Sequence, residues 1–347
     1  MKKKTFILTI DYEVFLGNRS GDLQTTLIDP TYRLMKILDK NNSKMTVFWD
    51  VLHYYRISEL SDKYPELINE KIMIENQIRD LVLAGHDIQL HLHPHWIDTV
   101  YQDGKWFPNY KRFSLHKLST EKIGDDINTI YGCVNMMKNL MEDFIRPLDN
   151  DYCVTSFRAG GYLIEPFSLL KEVFLEFGII FDSSTCPGAY SYKKEYGYDF
   201  RKYPKLLNYS FDETPKHIKT KGRFTEFPIY MIQLPFWFRL FKFIHRKFNI
   251  SKTYSFTGTG VNFETTKPSK FKHIINQIFY NGRIQLSADG HDTYTFKYCI
   301  TRSPQHAVMI LHPKMLNDDS FQCIDKLMKN GTLEFITLHK IIDVIEV

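Results

Sequence analysis

The sequence predicts an α/β fold in which parallel strands form a distorted barrel with helices on its outside. Short apolar runs alternate along the chain with longer amphipathic segments, as they do in repeated β–α units. Polar, reactive residues follow several of the apolar runs directly, and the active sites of barrels lie at the carboxyl ends of the strands. The 347 residues suit one large domain, and we expect a single domain covering residues 1–347.

Strands and helices alternate regularly in the first half of the chain. Asp29 and Pro30 begin a helix, the aspartate as its cap and the proline in its first turn. A longer helix ends at Gly85. The predicted elements, in order, are a strand at 5–10, a helix from 29, a strand at 45–49, a helix at 66–84, a strand at 87–90 and a helix at 119–144.

The same alternation returns on both sides of a less regular middle segment. The predicted elements are a strand at 153–157, a helix at 166–177, strands at 179–181 and 307–311, a helix at 320–329, a strand at 333–336 and a helix at 338–345. Residues 187–268, rich in tyrosine, lysine and phenylalanine, are predicted to be an irregular aromatic insertion.

Residues 228–248 within this insertion read PIYMIQLPFWFRLFKFIHRKF, which is aromatic, apolar and basic without an acidic residue. Helices that lie on a membrane surface have this composition. The segment therefore predicts a peripheral membrane contact. The alternative is a packing insertion whose aromatic side chains cover the barrel.

Composition and charge exclude several classes of protein. The net charge of +5 is mild, and basic residues interleaved with aromatic ones form no recurring stripe, so no nucleic-acid partner is expected. Five scattered cysteines without a CxxC pair indicate free thiols in a reducing compartment. The apolar run after the first lysines is too short for a signal peptide, and no run is long enough to span a membrane. We expect a cytoplasmic protein, with any membrane contact at the inner face.

The densest group of candidate metal ligands is formed by His91, His93 and His95, which follow a predicted strand. Three of the 13 histidines thus fall within five residues, and imidazole is the commonest protein ligand for zinc-like ions. His91 and His95 are four residues apart, a spacing that can direct both rings at one ion from a helix or a tight turn. The alternative is a histidine-rich surface loop.

Five short motifs stand in order along nearly the whole chain. They are Thr9-Ile10-Asp11-Tyr12-Glu13, then Gly85-His86-Asp87-Ile88 leading to His91 and His95, then Phe157-Arg158-Ala159-Gly160-Gly161-Tyr162, then Phe181-Asp182-Ser183-Ser184, and Leu311-His312-Pro313. Together they resemble the motifs of the polysaccharide deacetylase family, also called the NodB homology family or carbohydrate esterase family four. The resemblance implies a NodB-like barrel and a metal-dependent hydrolase that removes an N-acyl group, above all N-acetyl, from a sugar.

The sequence departs from the family pattern at two places. The family usually has a second aspartate in the first motif, where this chain has Tyr12, so the resemblance places the metal carboxylate on Glu13. The third motif has Ala-Gly-Gly at residues 159–161 in place of the usual Pro-Pro. This change would widen the pocket, and it leaves a flexible backbone where an N–H should face the substrate.

The resemblance implies a role for each residue in the reaction. Glu13, His91 and His95 would bind a divalent metal, zinc above others, and leave positions open for water and the substrate carbonyl. Asp11 would take the proton of the water as general base. The metal and the backbone N–H of Gly161 would stabilise the oxyanion. His312, in the fifth motif, would protonate the departing amine.

The remaining motif residues are expected to support these groups. Arg158 would keep the carboxyl of Asp11 ionised by lowering its pKa. Asp182 would orient either Arg158 or His312, a choice that the sequence leaves open. The side chains expected beside the metal or against the substrate are those of His93, Tyr12 and Tyr162. Residues 289–292, Asp-Gly-His-Asp, predict a loop, with substrate contact as the alternative.

A cytoplasmic location would favour a nucleotide-linked or lipid-linked sugar of surface polysaccharide biosynthesis as substrate. Two other functions stay open. One is a deformylase or amidase that acts on another C–N bond, and the other is a metal-free carbohydrate-binding pseudoenzyme. The joint presence of the motif residues argues against the pseudoenzyme. The sequence sets no oligomeric state.

Overall fold

The computed structural model describes residues 3–17, 19–192, 197–248, 258–261 and 282–345, with the backbone alone at 243–248 and 342–345. Its strands are β1 (Lys4–Tyr12), β2 (Thr46–Asp50), β3 (Asp87–Leu92), β4 (Val100–Gln102), β5 (Lys105–Phe107), β6 (Ser156–Ala159), β7 (Phe181–Asp182), β8 (Tyr190–Ser191), β9 (Tyr198–Asp199), β10 (Tyr209–Phe211), β11 (Phe224–Glu226), β12 (Met231–Gln233), β13 (Arg283–Gln285), β14 (His306–Leu311) and β15 (Leu333–Ile336). Its helices are α1 (Asp29–Lys40), α2 (Val51–Leu60), α3 (Glu66–Leu83), α4 (Ile130–Ile145), α5 (Lys171–Glu176), α6 (Phe236–Phe248), α7 (Thr293–Arg302), α8 (Asp318–Lys329) and α9 (Leu338–Ile345).

The main sheet is a curled, nearly all-parallel sheet with the strand order β10-β11-β7-β6-β3-β2-β1-β14, and β15 also pairs with β1. The pair β10–β11 is antiparallel, and the other pairs of this sheet are parallel. Ile229, just after β11, makes an isolated parallel bridge with Val308 of β14. This bridge brings the two ends of the sheet together, so the predicted distorted α/β barrel with outer helices is confirmed.

Burial explains why the first strand has no polar face. Every residue from Phe6 to Tyr12 is buried, because β1 has β14 on one side, β2 and β15 on the other, and core side chains packed against it. Parallel strands covered on both faces are expected to be apolar throughout. The charged residues at the end of β1 therefore stand out as costly to bury without partners.

Local capping sets the ends of the helices. Gly85 has a φ of +79° directly after α3, as predicted for a glycine that ends a helix. The helix predicted over 119–144 begins only at Ile130, because the hydroxyl of Thr129 caps it by accepting the Gly132 N–H at 2.9 Å. The helix predicted at 166–177 is likewise shorter, since a 3₁₀ turn at Phe167–Leu169 precedes α5.

The segment predicted as an insertion takes part in the main sheet. Its strands β10 and β11 extend the sheet at one end, while β8 and β9 form a separate hairpin. Parts of it, at 193–196, 249–257 and 262–268, lie outside the described residues. No helix in the described ranges combines the length and apolarity needed to cross a membrane. The five cysteines are free thiols, as predicted.

Candidate active site

Residues at or just after the carboxyl ends of β1, β3, β6 and β14 meet at one cavity of about 650 Å³. In a parallel sheet these ends share an edge, so side chains far apart in sequence become neighbours. The predicted residues that line the cavity are Asp11, Glu13, His91, His93, Gly161, Tyr162 and His312. The structure therefore brings most of the sequence-predicted site together.

Three of these residues form a candidate metal group. One ligand atom from each of Glu13, His91 and His93 lies within 4.8 Å of the others, and all three side chains are buried. The Nε2 atom of His93 is 2.6 Å from the Oε2 atom of Glu13. The Nε2 atom of His91 is 3.4 Å from the same oxygen.

The hydrogen bonding of these histidines suits a cation. His91 Nδ1 lies 2.8 Å from the Arg158 carbonyl oxygen, which can only accept, so Nδ1 carries a proton and Nε2 is the ring nitrogen directed at Glu13. The contact between His93 and Glu13 is not aligned as a hydrogen bond, and neither ring nitrogen of His93 has a hydrogen-bond partner among the described residues. Buried imidazole nitrogens that converge on a carboxylate are the donor set that zinc-like ions prefer.

His95, predicted as a metal ligand, lies just outside this group. Strand β3 runs to Leu92, and successive side chains of an extended chain alternate, so His91 and His93 share a face. His95 is already in a 3₁₀ turn, where its ring stacks on Phe113 at 5.9 Å and lies 5.5 Å from the ring of His93. The geometry thus favours His93, expected only beside the metal, as the third ligand.

The ring of His95 nevertheless has spare coordination capacity. The side chain is fully buried, and neither ring nitrogen has a hydrogen-bond partner in the described part of the chain. Burial keeps its pKa well below the ordinary value, so the ring is neutral. The assignment of His95 as a ligand stays a prediction.

Arg158 holds Asp11 in its ionised form. The guanidinium is fully buried, and its Nη1 atom is 2.6 Å from Asp11 Oδ1. Burial alone would raise the pKa of Asp11, but Arg158 and His312 outweigh it and hold this pKa well below its usual range. The other donors of Arg158 go to Thr9 and Ser183 at 2.7–2.9 Å, which fixes the orientation of the whole pair.

His312 is paired with Asp289, a residue that the sequence placed only in a loop. The His312 Nδ1 atom lies 2.7 Å from Asp289 Oδ2, and the His312 backbone N–H donates to Asp289 Oδ1 at 3.1 Å. The His312 Nε2 atom lies 3.5 Å from Asp11 Oδ2. Burial would lower the pKa of His312, but Asp289 and Asp11 raise it to about 10.

Asp182 makes hydrogen bonds to neither of its two predicted partners among the described residues. It accepts a bond from Ser184 Oγ at 2.6 Å, and that oxygen accepts the Ala159 N–H at 2.9 Å. Asp182 therefore supports the backbone just before Gly161. That Asp182 orients Arg158 or His312 stays a prediction, since the hydrogen bonds described for those two side chains are made with other residues, Ser183 and Asp289 among them.

Lys314 is a further charged residue of the site that sequence reasoning missed. Its Nζ atom is 2.8 Å from Glu13 Oε1 and 2.8 Å from the Val14 carbonyl oxygen, and its side chain is buried. Burial would raise the pKa of Glu13, but Lys314 and His93 lower it well below its usual value. The signal in the sequence was its position, two residues after His312 in the turn that follows β14.

The tyrosines flanking the motifs point in different directions. Tyr12 alternates with Asp11 along β1, and its hydroxyl donates to Gln77 of α3 at 2.8 Å, away from the cavity. This contact favours a structural role over the predicted one beside the metal. Tyr162 does line the cavity, and its hydroxyl accepts a hydrogen bond from Gln285 at 2.9 Å.

A Cβ atom on Gly160 would lie 2.5 Å from the Leu92 carbonyl oxygen, and Gly161 has no room for a side chain either. The φ of Gly161 is +60°, and a Cβ atom there would lie 2.5 Å from the Phe113 ring. The substitution of the usual Pro-Pro by Ala-Gly-Gly thus goes with a left-handed backbone at the cavity wall. Phe113 occupies the space above it.

Comparisons with known proteins find similar structures at low sequence identity. No protein-family model and no curated protein sequence matches the chain. Similar solved structures include a protein from Mycobacterium smegmatis assigned as a polysaccharide deacetylase, at 13% identity over 99% of this chain and 90% of that chain with a TM-score of 0.45. The polysaccharide deacetylase Bc1974 from Bacillus cereus has 12% identity over 97% and 93%, with a TM-score of 0.36. A 4-α-glucanotransferase from Thermococcus litoralis has 12% identity over 99% and 40%, with a TM-score of 0.46.

The deacetylases among these structures belong to the family that the five motifs resemble. The similar structures also include enzymes with other activities, such as an allantoinase. The TM-scores of these structures lie below 0.5. The function is therefore argued from the site itself.

Proposed function

We propose that this protein is a hydrolase that uses a divalent metal to remove an N-acyl group, above all N-acetyl, from a sugar. The observation that carries the proposal is the meeting of two groups in one cavity. The candidate metal group of Glu13, His91 and His93 stands beside the pair Asp11 and His312. Amide hydrolysis needs a site for an activated water, a base and an acid, and these residues can supply them.

The metal in this proposal is zinc, held by Glu13, His91 and a third imidazole. His93 is that third ligand on geometry, and His95 is the alternative from the motif spacing. Such an ion would polarise the acyl oxygen and lower the pKa of a bound water. The ring nitrogens of His93, which make no aligned hydrogen bond within the described residues, support its binding here.

The protein's own side chains handle the protons. Asp11 is anionic beside Arg158, so its Oδ2 oxygen can accept the proton of the attacking water. His312, held at Nδ1 by Asp289, would donate a proton from Nε2 to the departing amine. The backbone N–H of Gly161 at the cavity wall is the proposed second stabiliser of the oxyanion.

The proposed substrate is a nucleotide-linked or lipid-linked sugar of surface polysaccharide biosynthesis. Aromatic rings that can stack on a sugar, those of Tyr162, Tyr190 and Tyr198, line the cavity. On α6, Trp237 and Phe241 are 74% and 50% exposed, while Phe238 packs on Tyr298. These exposed aromatic rings on a basic helix support the proposed peripheral membrane contact, and a cytoplasmic location stays part of the proposal.

The test is release of acetate or formate from N-acyl sugars by the metal-loaded protein. We expect acetate from an N-acetylated sugar donor, and a loss of at least about 100-fold in the rate for His312→Gln. His306→Gln is the matched control, because His306 is an exposed histidine at the other end of β14. Equal rates for the wild type and His312→Gln would contradict the proposal. Formate as the product would favour the deformylase alternative.

One observation favours the metal-free, carbohydrate-binding alternative. The ammonium of Lys314 already neutralises Glu13 from its Oε1 side. Metal analysis of the purified protein separates the two functions. Stoichiometric zinc that is lost in His91→Ala supports the hydrolase, and its absence from the wild type favours the pseudoenzyme.

A further inference from the structure

A second cavity of about 700 Å³ adjoins the candidate active site. The two cavities share part of their lining, namely Tyr162, Tyr190, Tyr198, Gln285 and Asp289. Ligand pockets commonly have volumes of roughly 300–1,000 Å³, so each cavity has room for one part of a larger substrate. The shared tyrosines would lie between the two parts.

The second cavity carries two arginines without ion-pair partners among the described residues. Arg283 donates two hydrogen bonds to neutral acceptors, from Nε to Gln233 Oε1 at 3.1 Å and from Nη1 to the Gly188 carbonyl oxygen at 2.6 Å. Arg239 has buried Nε and Nη1 atoms, and within the described part of the chain neither has a hydrogen-bond partner. Buried guanidinium donors without acceptors are costly, so these atoms point to an anionic ligand.

Close packing holds both guanidinium groups in place. A Cβ atom on Gly282 would lie 2.5 Å from Gln233 Nε2 and 3.3 Å from Arg239 Cζ. A Cβ atom on Gly188 would lie 2.9 Å from Arg283 Nη1. Glycine at these two positions lets the backbone approach the arginines, which restricts their movement before a ligand binds.

We propose that this second cavity binds a phosphate or diphosphate group attached to the sugar whose N-acyl group lies in the candidate active site. The proposal rests on the proposed function and narrows its substrate to a phosphate-linked sugar. The planar fork of arginine matches the oxygen atoms of phosphate in pairs. The carboxylate in the cavity lining, Asp289, is already bound to His312, so it leaves the positive charge of the arginines largely uncompensated.

Calorimetric titration with uridine diphosphate, inorganic pyrophosphate and geranyl diphosphate tests this site directly. We expect binding of these ligands, and a Kd at least about tenfold weaker in Arg239→Gln and in Arg283→Gln, since a charge-assisted hydrogen bond is lost in each. Arg223→Gln is the control, because Arg223 is an exposed arginine paired with Asp212. Arg239→Lys and Arg283→Lys keep the charge and should retain part of the binding.

The two sources of the phosphate are separated by the same titrations. Tighter binding of uridine diphosphate identifies a nucleotide-linked sugar, and tighter binding of geranyl diphosphate identifies a lipid-linked one, and either result supports the site. Failure of all three ligands to bind, or binding unchanged in both glutamine variants, overturns it.

The same experiments distinguish failure of the phosphate site from failure of the proposed hydrolase function. Titrations with His312→Gln should still show diphosphate binding, because this residue is not part of the second cavity. Diphosphate binding without acetate release by the wild type would contradict the hydrolase alone. Acetate release from neutral N-acetyl sugars without diphosphate binding would contradict the phosphate site alone.

Discussion

His93 Nε2 lies 2.6 Å from Glu13 Oε2, although the motif spacing directs attention to His95. We therefore predict that His93→Ala weakens zinc binding by more than about 100-fold, because even residues that only support a metal ligand are worth 10–100-fold. His95→Ala should change the affinity by less than about tenfold. Titration of zinc against a competing chelator measures both. If His95→Ala has the larger effect, the ligand set predicted from the sequence is the correct one.

Asp289 fixes the ring and the backbone of His312 at once. Asparagine at this position would place its N–H₂ group against either the backbone N–H or the Nδ1–H of His312, both of which are donors. It would also remove the negative charge of Asp289, which keeps the imidazole protonated. We expect kcat for acetate release to fall about 100-fold in Asp289→Asn, the lower range for loss of acid catalysis. Asp325→Asn, which removes only an exposed pair with Lys329, is the control. An unchanged kcat would show that His312 acts without this partner.

The strand-and-helix pattern of the chain was largely predictable from sequence. Continuous apolar runs mark buried parallel strands, and β14, β15 and α9 lie where their patterns placed them. The helix predicted from residue 119 begins only at Ile130, eleven residues later, because Thr129 caps it there. Residue periodicity does not report which hydroxyl accepts the first helical N–H.

The composition of the site was only partly predictable, for a different reason. Asp11, Glu13, His91, Arg158 and His312 stand in motifs at strand ends, so the sequence itself draws attention to them. Asp289 and Lys314 belong to loops, and only the three-dimensional structure brings them to the motif residues. The choice between His93 and His95 depended on where β3 ends, which is the least certain part of any prediction from sequence.

His86 links stability to pH outside the site. Its Nδ1 atom accepts the Met45 N–H at 3.2 Å, and burial lowers its pKa from 6.5 to about 4. Between these values the unfolded chain binds more protons than the folded one, so the free energy of unfolding should rise with pH, by roughly 3 kcal/mol at most. This stability is present above pH 6.5 and is lost as the pH falls towards 4.

Urea unfolding of the wild type and of His86→Gln at pH 5 and pH 7 tests this link. Glutamine can still accept the Met45 N–H but does not titrate, so the difference between the two pH values should shrink in the variant. His306→Gln, an exposed site, should leave the difference as it is. An equal pH dependence in His86→Gln would assign the effect to other groups.

Trp237 and Phe241 are one helical turn apart on α6, and both are exposed. We predict that the protein binds vesicles containing anionic lipid, and that Trp237→Ser with Phe241→Ser weakens this binding at least about tenfold, because each ring buries apolar surface in the interface. Vesicle sedimentation measures it. Leu83→Ser is the control, an apolar residue 66% exposed on α3. Equal recovery of wild type and double variant with the vesicles would exclude α6 as the contact.

Strand β1 pairs on one side with β14, and Glu13 accepts a hydrogen bond from Lys314, which lies 301 positions further along the chain. During synthesis on a ribosome, the amino-terminal strand therefore leaves the exit tunnel long before these partners exist. The growing chain must keep an apolar strand edge and several charged side chains exposed until about 300 further residues have been made. A chain that stops before β14 would lack His312, the proposed acid, and would have an open strand edge prone to aggregation.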